Sequence, residues 1–380
     1  MKMDNSVVGP ASSRLNRRAL TILVAVAVVV VVAAASYVVL VRPSSTPSHE
    51  PFTWTMQTID SDVWGGFDRE TTCISADSNN NIHICYYDGK NCDLKYATNR
   101  GGAWWNRTLD APGDVGEYSS MAVDSNNKVH IGYCDTTNYA LKYATDAGDW
   151  WTTETVVSYG KDRMLSSIAI DSENRPYICY RDPTSSELKC ATKFNGSWTH
   201  QVIADAGRNY CSIAIGSNDS LHVCYSDPDG ALTYATNSSG TWTSVVFDDS
   251  GWWCSIALGA NDEAHISYLA SNQEGQNSLM YATNANGTWT CISLYDDVGN
   301  WNTGTSIAVD SDNKVHVGFF DSGEYDAMYA TNEGGFWGCY IVDNREYPRA
   351  TSMTIDSNNG VHFSYFDRGD LEYAASSAGS

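Results

Sequence analysis

One unit of sequence recurs seven times along this chain, and the recurrence constrains the fold more than any other feature. Near residue 121 the chain reads Met121-Ala-Val-Asp-Ser-Asn-Asn-Lys-Val-His-Ile-Gly-Tyr-Cys-Asp135, then Leu141-Lys-Tyr-Ala-Thr145, then Trp150. Near residue 307 it reads Ile307-Ala-Val-Asp-Ser-Asp-Asn-Lys-Val-His-Val-Gly-Phe-Phe-Asp321, then Met328-Tyr-Ala-Thr-Asn332, then Trp337. One column of the repeat holds His83, His130, Tyr177, His222, His265, His316 and His362, at spacings of 47, 47, 45, 43, 51 and 46 residues. A period of this size, filled with short strand-like runs, marks a propeller, a solenoid or a linear array.

Each unit divides into four strands. The first is small and apolar, as in Ser167-Ile-Ala-Ile-Asp171. A turn rich in Asp, Asn and Ser follows, where side chains hydrogen-bond their own backbone. The second strand carries the His, the third is the Lys-Tyr-Ala-Thr run at 95–98, and the fourth opens at a Trp after a turn, as in Gly240-Thr-Trp242. β-branched and aromatic residues fill these runs, and Gly, Asn and Asp punctuate them. No helical periodicity occurs beyond residue 42.

The ends of the array decide between an open and a closed arrangement. The last repeat stops after its third strand, Leu371-Glu-Tyr-Ala374, while the first is preceded by an orphan fourth strand, Phe52-Thr-Trp54-Thr-Met-Gln-Thr-Ile-Asp60. A ring closed by the N-terminal strand accounts for both and removes the sheet edges that would pair with other chains. A solenoid would instead require polar capping repeats. The expected fold is therefore all-β: a seven-bladed β-propeller of four-stranded blades over residues 52–380, with first strands nearest the axis.

Ahead of it, residues 1–18 form a short tail and 19–41 an uncharged run of mostly Val and Ala, long enough to cross a bilayer as one transmembrane helix. Arg14, Arg17 and Arg18 precede it, so positive charge remains cytoplasmic and the propeller faces outward on a single-pass cell-membrane protein. The reading favoured is an uncleaved signal-anchor. The alternative is a cleaved signal peptide with Ala33-Ala34-Ala35 at its site, although such apolar regions are usually shorter. Residues 42–51 are a Pro/Ser linker.

The chain carries −22 at neutral pH, yet residues 1–42 hold five of its 23 basic residues and, of its 45 acids, only Asp4. The exported part is thus more acidic still, which opposes nucleic acid and anionic surfaces as partners. Sequons at Asn106, Asn195, Asn218, Asn237 and Asn286 suit a glycoprotein, and equally suit plain turn chemistry.

Eleven cysteines in an exported domain invite disulfides. Cys85, Cys179 and Cys224 share one column with Gly and Ser, however, and Cys211 and Cys254 share another with Ser and Thr, so they read as small buried fillers. Cys73 and Cys85, opposite each other across one hairpin, are the candidate disulfide. A metal site is not expected: Cys-x-x-Cys is absent, and Asp310-Ser-Asp312 has only part of a calcium loop, leaving Ca2+ as the one cofactor conceivable. His83, His130, His222, His265, His316 and His362 are read as structural, because one catalytic site needs one set of residues rather than six copies. The Asp residues at 77, 124, 171, 310 and 356 open Asx turns, and those closing the second strand brace the next turn.

Function belongs where the repeats disagree. The links from fourth to first strand vary, and in a ring they converge on one rim around the channel mouth. They supply Trp64, Arg69, Tyr118, Tyr159, Arg163, Arg208, Tyr210, Trp252, Trp253, Trp301, Tyr347 and Arg349, aromatics interleaved with Arg, which suit sugars or peptides.

The string Ser-Ile-Ala-Val-Asp-Ser-x-Asn-x-Val-His-Ile-x-Tyr-x-Asp, with Leu-Lys-Tyr-Ala-Thr and Gly-x-Trp, resembles β-propeller repeats of exported archaeal and bacterial surface proteins. The resemblance spans residues 52–375 and implies a surface role without an assigned activity. A weaker likeness is to the Asp-box of sialidase-type propellers: Thr236-Asn-Ser-Ser-Gly240-Thr-Trp242 keeps the hydroxyl-to-Gly spacing but lacks the Asp and shortens Gly to Trp by one residue. No catalytic residue is carried over. The chain reads as a binding or adhesion module for a glycan, a peptide or a surface protein rather than an enzyme. The alternative is a glycan-active hydrolase or lyase at the channel mouth, which would need carboxylates or a His converging on one bound atom.

Overall fold

A computed structural model describes residues 52–63, 71–148, 150–160, 165–205, 210–271, 275–299, 304–345 and 347–377. These form 28 strands in seven antiparallel four-stranded sheets. Blade 1 is β2 (Thr72–Ala76), β3 (Ile82–Asp88), β4 (Asp93–Thr98) and β5 (Trp105–Asp110). Blades 2 to 6 follow as β6–β9 (115–158), β10–β13 (166–204), β14–β17 (211–248), β18–β21 (252–295) and β22–β25 (305–343). Blade 7 is β26 (Pro348–Ile355), β27 (Val361–Asp367), β28 (Asp370–Ser377) and, as its outer strand, β1 (Thr53–Asp60). Trp54 pairs with Ser376 and Gln57 with Tyr373, so the N-terminal strand completes the C-terminal blade. Each blade's first strand packs on the first strands of both neighbours, round to β26 against β2, and the ring is closed.

The core lies between blades, in seven clusters. Second strands such as β3 and β7 (Val129–Asp135) are buried at every residue, because sheets sandwiched on both faces cannot alternate apolar and polar. One Trp at the start of each fourth strand packs into the cluster beside it. Trp151 packs, tilted or edge-on like the others, on Tyr96 at 4.9 Å, Trp198 on Tyr143 at 5.2 Å, Trp289 on Tyr234 at 5.2 Å, Trp337 on Tyr281 at 4.9 Å, Trp54 on Tyr329 at 5.7 Å and Trp104 on Tyr373 at 5.0 Å. In the second repeat the packed residue is Trp151, not the Trp150 expected from the motif. Trp150, in the bend before β9, is 81% exposed.

The same Tyr holds the His column. Nδ1 of His83, His130, His222, His265, His316 and His362 meets the hydroxyl of Tyr96, Tyr143, Tyr234, Tyr281, Tyr329 and Tyr373 at 2.5–2.7 Å. Nε2 faces the Asx-turn carboxylate in four repeats, at 3.4 Å for Asp77, 3.3 Å for Asp124, 3.1 Å for Asp310 and 3.2 Å for Asp356. The other oxygen of each carboxylate accepts backbone N–H groups two and four residues on. Asp310 is thus spent within its own turn. Among the described residues, no three His, Cys, Asp or Glu side chains gather as a metal site.

Cys73 and Cys85 are opposite in register, as expected, yet all eleven cysteines are free thiols. The N–H of Tyr87 bonds the carbonyl of Thr71 two pairs away, so Cys73–Cys85 is a hydrogen-bonded pair of the ladder. The two thiols are hydrogen-bonded neighbours, and the Cys85 thiol also donates to Ser119 Oγ of the next blade at 3.4 Å. The described residues include no helix long and apolar enough to cross a membrane, and residues 19–41 lie outside them.

Candidate functional site: the well at the channel mouth

Seven first strands converge on the axis and line a well of about 230 Å3. Six repeats contribute the same three successive positions, and blade 2 contributes the first two, Tyr118 and Ser119. The innermost of the three is Ser in five of those six and Cys73 in the other. The next carries Thr72, Ser119, Ser166, Cys211, Cys254, Thr305 and Thr351, and the rim varies from Gly304 and Ala350 to Tyr118, Tyr210 and Trp253. Small side chains are required because seven strands crowd one axis.

The hydroxyls also solve an edge problem. Each first strand is the inner edge of its sheet, with backbone N–H groups that lack a strand partner. Ser352 Oγ accepts from the N–H of Ile74 at 3.4 Å, Ser167 from Ile213 at 3.2 Å and Ser212 from Ile256 at 3.2 Å, each across a blade junction. Ser166, Ser306 and Thr351 keep buried hydroxyls with no protein partner among the described residues.

The rim is shaped by bulges. Register slips between Glu117 and Ser120, between Trp252 and Ser255, and between Arg349 and Ser352. At the slipped position Tyr118, Trp253 and Ala350 have φ of 52°, 53° and 51°, and Gly304 fills that column in blade 6 at 106°. Non-glycine residues in this left-handed region are uncommon, and bulges re-aim side chains. Tyr118 N–H donates to Thr71 Oγ1 at 3.2 Å, and Thr305 Oγ1 donates to the Trp253 carbonyl at 3.2 Å, so neighbouring blades hold each rim residue. Tyr210 and Trp253 are in contact, with ring centroids 3.9 Å apart and planes tilted by 41°. Burial pushes the Tyr210 phenol above its ordinary value, so it stays neutral and can donate.

Of the rim residues expected from sequence, three therefore line the well: Tyr118, Tyr210 and Trp253. Trp252 turns the other way and packs between blades 5 and 6. Tyr159 packs between blades 2 and 3, its hydroxyl 3.5 Å from that of Tyr180. Tyr347 meets Tyr325 edge-on at 4.8 Å, with Arg349 over its ring at 5.9 Å, and neither lines the well. Trp64, Arg69, Arg163, Arg208 and Trp301 lie outside the described residues.

The sequence reading missed the hydroxyl and thiol wall, having classed these strands as small and apolar. The signal was there: in every first strand two such residues precede an Ile or Met. Among the described residues, the wall has no carboxylate, imidazole or cationic side chain. It can exchange neutral hydrogen bonds and stack rings.

No protein-family model matches the chain, and no curated protein matches it either. Solved structures do. A triple arginine-to-alanine variant of AofleA from Arthrobotrys oligospora is similar at 12% identity over 79% of this chain and 93% of that one, with a TM-score of 0.57. An Aleuria aurantia lectin variant in complex with Fucalpha1-6GlcNAc is similar at 14% identity over 76% of this chain and 98% of that one, with a TM-score of 0.52. Another structure of that lectin is described as a six-bladed propeller with a novel fucose recognition mode, one blade fewer than here. At these identities the likeness is one of fold: the chain is a β-propeller.

Proposed function

We propose that this chain is a binding module, tethered to a membrane by residues 19–41 with the propeller outside the cytoplasm, that takes a saccharide at the channel mouth. One observation carries the reading: Tyr118, Tyr210 and Trp253 stand over a well walled by hydroxyls. A sugar ring offers an apolar C–H face to an aromatic and hydroxyls that both donate and accept, and serine and threonine do the same. Pockets that combine ring contacts with a few placed polar groups are the usual form of small-ligand sites. Support also comes from the fold likeness to the Aleuria aurantia lectin, which binds fucosides through a propeller.

A glycan array probed with the full chain, followed by calorimetric titration of the hits, tests the reading. Trp253→Ala should weaken binding about tenfold, the loss of roughly one aromatic contact. Trp105→Ala, on the outer strand of blade 1, should leave it unchanged. Binding confined to peptides, or hydrolysis of the bound glycans, would overturn it.

A further inference from the structure

Blade 4 meets both of its neighbours through paired cysteines. The pairs occupy one position of the second strand and one position of the next blade's first strand. Wherever hydroxyls fill those two positions, they touch. Ser267 Oγ lies 2.8 Å from Thr305 Oγ1, and Thr72 Oγ1 lies 2.9 Å from Ser364 Oγ. With one thiol present, Cys85 Sγ reaches Ser119 Oγ at 3.4 Å. The repeat places Cys179 against Cys211 at the junction of blades 3 and 4. It places Cys224 against Cys254 at the junction of blades 4 and 5. Each pair shares one buried cluster, and the two thiols of each are hydrogen-bonded neighbours.

From this juxtaposition we propose that Cys224–Cys254 and Cys179–Cys211 are redox-active pairs that close into disulfides, stapling blade 4 to both neighbours. A disulfide between neighbouring thiols brings the sulfurs to about 2.05 Å. Cys211 and Cys254 line the well, Cys211 half-buried and Cys254 buried but for 7% of its surface, while Cys179 and Cys224 lie fully buried behind, so the oxidant's point of entry is the channel side. With a disulfide oxidant such as oxidised glutathione, the thiolate of Cys254 attacks the oxidant's S–S bond and expels one glutathione thiolate. The thiolate of Cys224 then attacks the protein sulfur of the mixed disulfide and expels the second. Two protein thiols are oxidised, one oxidant disulfide is reduced to two thiols, and the two protons released end on the two glutathiones. The same steps run from Cys211 to Cys179. Cys211 follows Tyr210 and Cys254 follows Trp253, so the staples would clamp the two rings that touch at the mouth.

Peptide mapping of the full chain under non-reducing conditions, after equilibration with oxidised glutathione, is the test. Peptides joined through Cys224–Cys254 and through Cys179–Cys211 are expected. Thiols titratable in denaturant should fall by four from the eleven cysteines. Cys224 and Cys254 both recovered as free thiols would overturn the proposal. So would Cys179 joined to Cys190, its cross-strand neighbour. The double variant Cys224→Ser, Cys254→Thr copies the Ser267–Thr305 junction and so keeps the packing. Its fall in titratable thiols should be two instead of four. A fall of four in that variant would mean that other cysteines bridge, and would also overturn the assignment.

Discussion

At the scale of single residues, one buried chain of hydrogen bonds is copied round the ring. In the second repeat it runs Asp124–His130–Tyr143, with Trp198 of the next blade on the Tyr ring. The third repeat shows that the parts form a set. Tyr177 replaces the His, and Cys190 stands where the Tyr would be. Arg175 then takes the carboxylate of Asp171 at 2.5 Å. Removing one member elsewhere leaves its partner stranded. Tyr143→Phe should cost about 1–3 kcal/mol in urea unfolding, the penalty for a buried acceptor left unpaired. Burial holds all six imidazoles below the ordinary 6.5. The unfolded chain therefore takes up protons that the folded ring refuses. This stability is complete above pH 6.5 and is lost as the pH falls below it. Unfolding midpoints in urea should drop between pH 7.5 and pH 5.5, and a flat profile would contradict the buried neutral column. Asp326 has the opposite sign. Burial, then the charge of Asp321 directly across the strand pair, raises it to about 6. Asp326→Asn should stabilise the protein at pH 8, and the gain should shrink as acid protonates the wild-type carboxyl. The sequence disclosed the His column and its place on the second strands. It did not disclose the Tyr partner, because a cross-strand contact depends on register rather than on the motif's own spacing.

At the scale of elements, the Asx turns between first and second strands join neighbouring blades. Each turn places Asn or Asp in the left-handed region, with φ from 58° to 63° at 80, 127, 174, 219, 262, 313 and 359. That side chain accepts from the turn of the preceding blade. Asn127 Oδ1 takes the N–H and the hydroxyl of Ser78 at 3.0 and 2.8 Å, and Asn80 takes those of Ser357 at 3.0 and 2.7 Å, which closes the circle. Blade 5 has Ala260 in place of the Ser and keeps only the backbone bond, at 3.1 Å. Asn127→Gly retains the dihedral and loses both bonds, so it should cost about 1–2 kcal/mol. Asn127→Ala adds roughly 1–2 kcal/mol for a Cβ in that conformation, so the Ala variant should be the less stable. Equal stability would remove the dihedral from the account. Composition marked these turns plainly, but their partners lie a full repeat away, where local turn chemistry says nothing. The rim was legible in a similarly partial way. Disagreement between repeats located it, while bulges decided that Trp253 lines the well and Trp252 does not.

At the scale of the whole molecule, a ring made of repeats has one seam, and here the seam lies inside blade 7. The orphan strand at the start of the array and the missing strand at its end made closure legible from sequence. What the seam does chemically emerges only in three dimensions. Thr58 donates to Glu372 Oε1 at 2.5 Å within blade 7, while Asp60 accepts from Tyr86 at 2.6 Å and from Lys95, both in blade 1. Trp54 and Phe52 pack on Tyr329 of blade 6. One strand thus holds three blades. Removing residues 52–60 exposes β28 as a long unpaired edge, a template for pairing with another chain. It also leaves Lys95 without one of its acids and opens the cluster between blades 6 and 7. The truncated chain should migrate as oligomers in size-exclusion chromatography and unfold at lower urea with a broadened transition. A chain that begins at residue 52 should remain monomeric and cooperative. Adding β1 as a separate peptide should restore the sharp transition, because the groove it fills is set by strands that are still present. A truncated chain as cooperative as the parent would mean that blade 7 needs no fourth strand and that the ring is held shut by its inner strands alone.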